Sequence, residues 1–113
     1  MSWKKRKIEK NDIRFNFKHK HLAHVKKVEG IVPNQKVTSV FITSKEYDGN
    51  IKNIKMTKPI KIGKKETGYF IKRVRTYPSD TYSVKVYNKK MCKKDRRTSK
   101  NIYKRFLKNK KRD

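Results

Sequence analysis

Negative charge is what this chain most conspicuously lacks: only nine of its 113 residues are acidic, against 35 Lys and Arg. Cysteine is nearly absent as well. Cys92 stands alone, which excludes an intrachain disulfide and points to a reducing compartment. No apolar run approaches the roughly 18 residues of a membrane span. The opening MSWKKRKIEKND has the charge of a signal peptide's first region, but no apolar stretch follows it. A soluble, cytoplasmic protein with no membrane association is expected. With four glycines there is no Gly-rich phosphate loop, and neither paired carboxylates nor a Cys/His nucleophile context is present. No cofactor is expected. Hydrophobic residues make up 33% of the chain, so one small core is expected, carried largely by six Tyr, five Phe and one Trp.

What the chain has is positive charge, formally +26. Self-repulsion of that size disfavours compaction unless an anionic partner neutralises it, and RNA or DNA is the partner it suggests. The charge is concentrated at the ends: residues 1–20 carry net +6, residues 89–113 net +11, and the long middle only +9. This suggests a basic arm over 1–12, a small domain over 13–88, and a basic C-terminal segment over 89–113.

The middle reads as strands. Ile13–Phe17 alternates with a period of two, Leu22–Val28 ends at the turn signal Glu29-Gly30, and KVTSVFI (36–42) is rich in β-branched residues. Ile51–Met56 and Pro59–Ile62 read as two short strands, GKKETG (63–68) as a hairpin tip, and Tyr69–Tyr77 and Tyr82–Tyr87 as strands. Spacing of about ten residues predicts a mostly-β fold, a small barrel or a curled antiparallel sheet. Ile102, Tyr103, Phe106 and Leu107 predict an amphipathic helix over 96–113, capped by Thr98 or Ser99.

Strict alternation in Tyr69–Tyr77 places residues 71, 73, 75 and 77 on one strand face, with two guanidiniums beside an exposed tyrosine. Such a face grips phosphate and stacks a base. The candidate nucleic-acid contacts are Lys4, Lys5, Arg6, Lys7 and Arg14 in the first segment, and Lys72, Arg73, Arg75 and Tyr77 on this strand. Arg96, Arg97, Lys100, Lys104, Arg105 and Lys108 on the helix complete the set. HKHLAH (19–24) holds three histidines, but no cysteine or carboxylate stands near enough in sequence to complete a zinc site, so no metal is expected. Thr43-Ser44, at the end of KVTSVFITS, either turns the chain or offers hydroxyls to a phosphate.

A strand over Leu22–Val28, a strand ending in FITS, and then NIKM resemble the first half of the MazF/PemK-like toxin endoribonucleases, which are SH3-like barrels. Matched residue by residue, Thr43 and Ser44 fall on that family's hydroxyl pair near the cleaved phosphate. The family's Arg-Pro is replaced by KHLAHV, with His21 nearest its place. The chain is also similar to short proteins of Gram-positive bacteria and their mobile elements with an HPxxV, ITHS, KNIKL pattern. Its counterparts there are His21–Val25, Ile42–Ser44 and Lys52–Met56, within a resemblance covering roughly residues 18–87. These resemblances imply an SH3-like barrel, metal-independent cleavage of single-stranded RNA, and an acidic antitoxin-like protein partner.

Three functions follow as expectations. The first is binding of nucleic acid, RNA favoured, through the phosphate backbone. The second is ribonuclease activity, with His21 or His24 as base, Arg73 (or Arg75) as the phosphate cation and Thr43/Ser44 beside the reacting group. The third is a basic assembly component of a ribonucleoprotein or mobile-element particle.

Overall fold

A computed structural model describes residues 7–31 and 33–111. Among the described residues eight strands precede one α-helix, with a 3-10 turn (Ser79–Thr81) between the last two strands: β1 (Ile13–Asn16), β2 (His21–Glu29), β3 (Lys36–Thr43), β4 (Tyr47–Asp48), β5 (Ile51–Lys52), β6 (Ile54–Ile62), β7 (Lys65–Pro78), β8 (Tyr82–Tyr87) and α1 (Lys93–Lys111). Six strands form one antiparallel sheet in the order β6-β7-β3-β2-β1-β8, and β4-β5 make a separate small hairpin. No helix among the described residues is long and apolar enough to cross a membrane.

The sheet is curled but not closed into a barrel; β6 and β8 remain its edges. Tyr82 shows how strong the curl is. Three strand spacings of about 4.8 Å separate β8 from β3, yet the Tyr82 hydroxyl lies 2.9 Å from Ser39 Oγ and donates to Val37 O at 3.2 Å. A flat sheet would put those groups well beyond a tyrosine's reach.

β3 runs through the middle, and all its residues from Val37 to Thr43 are buried. Val40 and Ile42 point to one apolar cluster with Phe70, Val74, Met56 and Ile102. Val37 and Phe41 point to a second cluster on the opposite face with Ala23, Val25, Ile71 and Tyr82. The helix covers the first. Ile8, ahead of β1, is buried in the second, so the chain is part of the fold well before residue 13.

Bulges set the faces. β7 takes four steps from Phe70 to Val74 while β3 takes two from Ile42 to Val40; both counts are even, so Phe70 and Val74 stay together in the first cluster and Ile71 lies in the second. Of the expected face of 71, 73, 75 and 77, Ile71 and Tyr77 pack against the second cluster, while Arg73 and Arg75 are exposed. Two register shifts between β1 and β8, by contrast, put Tyr82 in one cluster and Val86 against the other, although plain alternation would leave them together.

β6 is one strand where two were expected, bulged between Lys55 and Ile60. The bulge frees the Thr57 and Lys58 amides from the ladder, and both donate to the Asp95 carboxylate of α1, at 2.7 and 2.9 Å. Pro59, which has no amide to place, follows directly. Of the two glycines in GKKETG, only Gly63 makes the turn, at φ +61 in the first loop position, where a type II′ hairpin demands glycine. Gly68 lies inside β7, where an added Cβ would come within 3.3 Å of the Pro59 ring.

α1 starts three residues earlier than expected, and neither Thr98 nor Ser99 caps it. Cys92 stands just ahead of it: its carbonyl accepts the Arg96 amide at 3.0 Å and its thiol donates to Asp95 at 3.2 Å. The Thr98 hydroxyl instead donates to Lys94 O within the helix. The inward stripe is Asp95, Ser99, Ile102 and Phe106. Leu107, expected to dock, is exposed.

Candidate nucleic-acid interface

The β7 bulge leaves Lys72 and Arg73 projecting while Val74 packs inward, and α1 lies alongside. Between them runs a groove of about 420 Å³. Lys72, Arg73, Arg75 and Arg105 supply its charge, Val74, Ile54, Ile102 and Phe106 its apolar floor, and Thr98, Asn101 and Asn109 neutral polar groups. Among the described residues no carboxylate lines it.

The helix extends this charge outward. Ten of its nineteen residues are Lys or Arg. Lys93, Arg97, Lys100, Lys104 and Lys108 follow at helical spacing on the side opposite Ile102, and all are exposed. Arg96 lies on a flank, in a small cleft with Lys89, Lys90 and Asn11. The helix's one acid among the described residues, Asp95, is buried and consumed by the β6 amides, so it offsets none of this field at the surface.

Other expected contacts stand elsewhere. Arg14 is 1% exposed. Its Nε and Nη2 donate to Asp12 at 3.0 and 2.9 Å, and its Nη1 donates to Ser83 O. It is a structural tie between β1, β8 and the preceding segment, not a surface cation. Tyr77 is half-buried against the second cluster, its hydroxyl 3.2 Å from His19 Nδ1, so it is no open stacking platform. Lys7 is exposed. Lys4, Lys5 and Arg6 lie outside the described residues.

The histidines part company. The His19 ring packs on Phe41 with centroids 4.4 Å apart, and burial, then His21 and Arg75, holds its pKa below the ordinary value. His24 is buried, and a 2.6 Å hydrogen bond joins its Nδ1 to Ser99 of α1. It fastens the helix to β2 and is not available as a base for an external substrate. Burial, and secondarily Lys26, pushes its pKa from 6.5 down to about 3. The unfolded chain therefore binds a proton here that the native state refuses, so stability is full above pH 6.5 and falls as pH drops towards 3. Between pH 7.5 and pH 5, urea unfolding should show a loss of about 2 kcal/mol. His24→Asn should lose most of that slope; an unchanged slope in this variant would place the titration elsewhere.

Lys26 is a different case. It is 7% exposed, and its Nζ has Asn11 Oδ1 at 3.5 Å. Burial, then Lys10 and Lys100, pushes its pKa down to about 8. At neutral pH the ammonium is charged, so Lys26→Met should raise stability by roughly 1–2 kcal/mol in the protein alone. A lowered midpoint in urea would contradict this.

His21, Thr43 and Ser44 do come together. They share a second groove, of about 460 Å³, with Lys20, Lys45 and Lys65. Arg73 and His24 are not part of it. Thr43 Oγ accepts the Lys45 amide at 3.2 Å, so this hydroxyl also turns the chain at the end of β3. Burial first keeps the His21 pKa below its ordinary value, with Asp48 opposing, and Lys45 and Lys65 adding to it. The three lysines of this groove were not singled out in the sequence, because Lys20, Lys45 and Lys65 belong to three separate loops or loop edges that only the curl brings together. Among the described residues, no group of three or more His, Cys, Asp or Glu is placed to hold a metal ion.

The fold and grooves thus define a curled, open, mostly-β domain with a cationic helix laid along its sheet. The chain matches no family model, no curated protein and no solved structure.

Proposed function

We propose that this protein binds RNA through the phosphate backbone. The observation that carries the reading is the groove between β7 and α1, where Lys72, Arg73, Arg75 and Arg105 meet and, among the described residues, no carboxylate joins them. Arginine suits the task because its planar fork pairs with two phosphate oxygens at once. The exposed stripe on α1 enlarges the field that draws a polyanion in and neutralises further phosphates. Contacts of this kind carry little base information, so sequence preference should be weak. The test is retention of labelled single-stranded RNA, duplex RNA and duplex DNA of several sequences by the full chain. Binding that varies little with sequence supports the reading; no retention at low salt refutes it.

The meeting of His21 with Thr43 and Ser44 favours a second reading, RNA cleavage. His21 would take the 2′-hydroxyl proton as that oxygen attacks phosphorus, Lys45 or Lys65 would fill the cationic role first assigned to Arg73, and the P–O5′ bond would break with a proton passing to the departing 5′-oxygen from Thr43, Ser44 or water. Incubation with the same single-stranded RNA tests it. Products that vanish in His21→Ala support cleavage, and intact RNA after prolonged incubation with the wild type removes it.

A further inference from the structure

The second groove lies where the sheet fails to close. Its walls include Ile62 of β6 and Val86 of β8, the two edge strands that a closed barrel would pair. With Leu22 and Ile42 they make an apolar floor in a chain whose surface is otherwise densely cationic. Around the rim stand Lys20, Lys45 and Lys65, and among the described residues no carboxylate lines the cavity. Lys20 is held at φ +62, a left-handed conformation that side-chain-bearing L-residues adopt only at a cost and that tends to gather at functional positions.

An apolar slot with a cationic rim suits a ligand that is flat and apolar on its faces and anionic at one end. We infer that this gap takes an unstacked nucleobase, with the adjoining phosphate held by the rim lysines. The inference rests on the RNA reading above and narrows it to single-stranded substrate. The volume of about 460 Å³ leaves room for a purine or a pyrimidine. The hydroxyls of Thr43 and Ser44 and the imidazole of His21 can meet polar base edges without demanding one base. Paired and stacked bases cannot enter, because a duplex must first extrude the nucleotide. The groove along α1 makes no such distinction, since it reads phosphates alone.

The test compares, with the full chain and at equal phosphate number, a single-stranded RNA, the same strand carrying several abasic sites, and its duplex. The base-bearing strand should bind about tenfold or more tighter than the abasic strand, in keeping with the strength of base stacking in single-strand sites. Val86→Trp, which fills the slot from an edge strand, should remove that advantage and leave duplex binding unchanged, with folding checked by its melting curve. Equal affinity for abasic and base-bearing strands, with salt dependence retained, overturns the pocket but leaves the backbone interface standing. No binding by any of the three overturns the interface as well. An acidic, aromatic peptide that displaces the single strand from wild type but fails to bind Val86→Trp would assign the slot to a protein partner and overturn the inference.

Discussion

Replacing Arg73, Arg75 and Arg105 together with Gln should lower affinity for single-stranded RNA by about a hundredfold or more at moderate salt. Each guanidinium lines the same groove and each is exposed. Among the described residues none of the three forms an ion pair with a carboxylate, and Asp95 of the same helix is turned into the core. A charge-assisted hydrogen bond contributes about 1.5–3 kcal/mol, so losing three, even at the lower end, passes the hundredfold mark. Stability should move by no more than about 0.5 kcal/mol, as for other surface substitutions away from packed groups. Replacing three exposed lysines outside both grooves, Lys18, Lys58 and Lys61, should weaken binding far less. Equal losses for the two triple variants would mean that net charge alone governs binding and that the groove has no special part.

The largest effect on folding is expected from Asp95→Ala, a loss of about 3–5 kcal/mol in urea unfolding. The carboxylate is 1% exposed and accepts from the amides of Thr57 and Lys58 and from the Cys92 thiol. Truncation strands two backbone donors at the β6 bulge, each costing about 1–3 kcal/mol. It also removes the negative group from the first turn of α1, where the helix dipole favours it. Ten basic side chains on that helix repel one another, so its attachment has little reserve. Asp95→Asn keeps one acceptor and should recover part of the loss. A change below about 1 kcal/mol in Asp95→Ala would show that the clamp does not hold the helix.

Alternation and turn chemistry located the main strands well. β8 spans Tyr82–Tyr87 as read from the sequence, and β2 and β3 extend only slightly beyond their expected bounds. What a period of two cannot reveal is where it breaks. The bulge after Phe70 adds two residues to β7 and leaves both Lys72 and Arg73 exposed, and the shifts between β1 and β8 separate Tyr82 from Val86. Those breaks decide which cations face the helix and where the second groove opens. Polar residues mislead in a related way. Arg14, Asp95 and His24 look like surface chemistry in a basic sequence, yet each is buried with at least one partner supplied by an element far away in the chain. Hydrophobic patterning found the lower half of the α1 contact, Ile102 and Phe106, and missed the upper half because it is made by Asp95 and Ser99.

The central claim, that phosphates are the ligand, is tested most directly by the affinity of the full chain for two unrelated single-stranded RNAs of equal length between 50 and 200 mM salt. Displacement of condensed counterions from six to ten phosphates predicts a fall in affinity of roughly 10³–10⁵ over that range, slightly less steep for single strands than for duplexes. The two sequences should give parallel lines separated by little. A salt-independent affinity, or strong binding of one sequence and none of the other, would contradict the account.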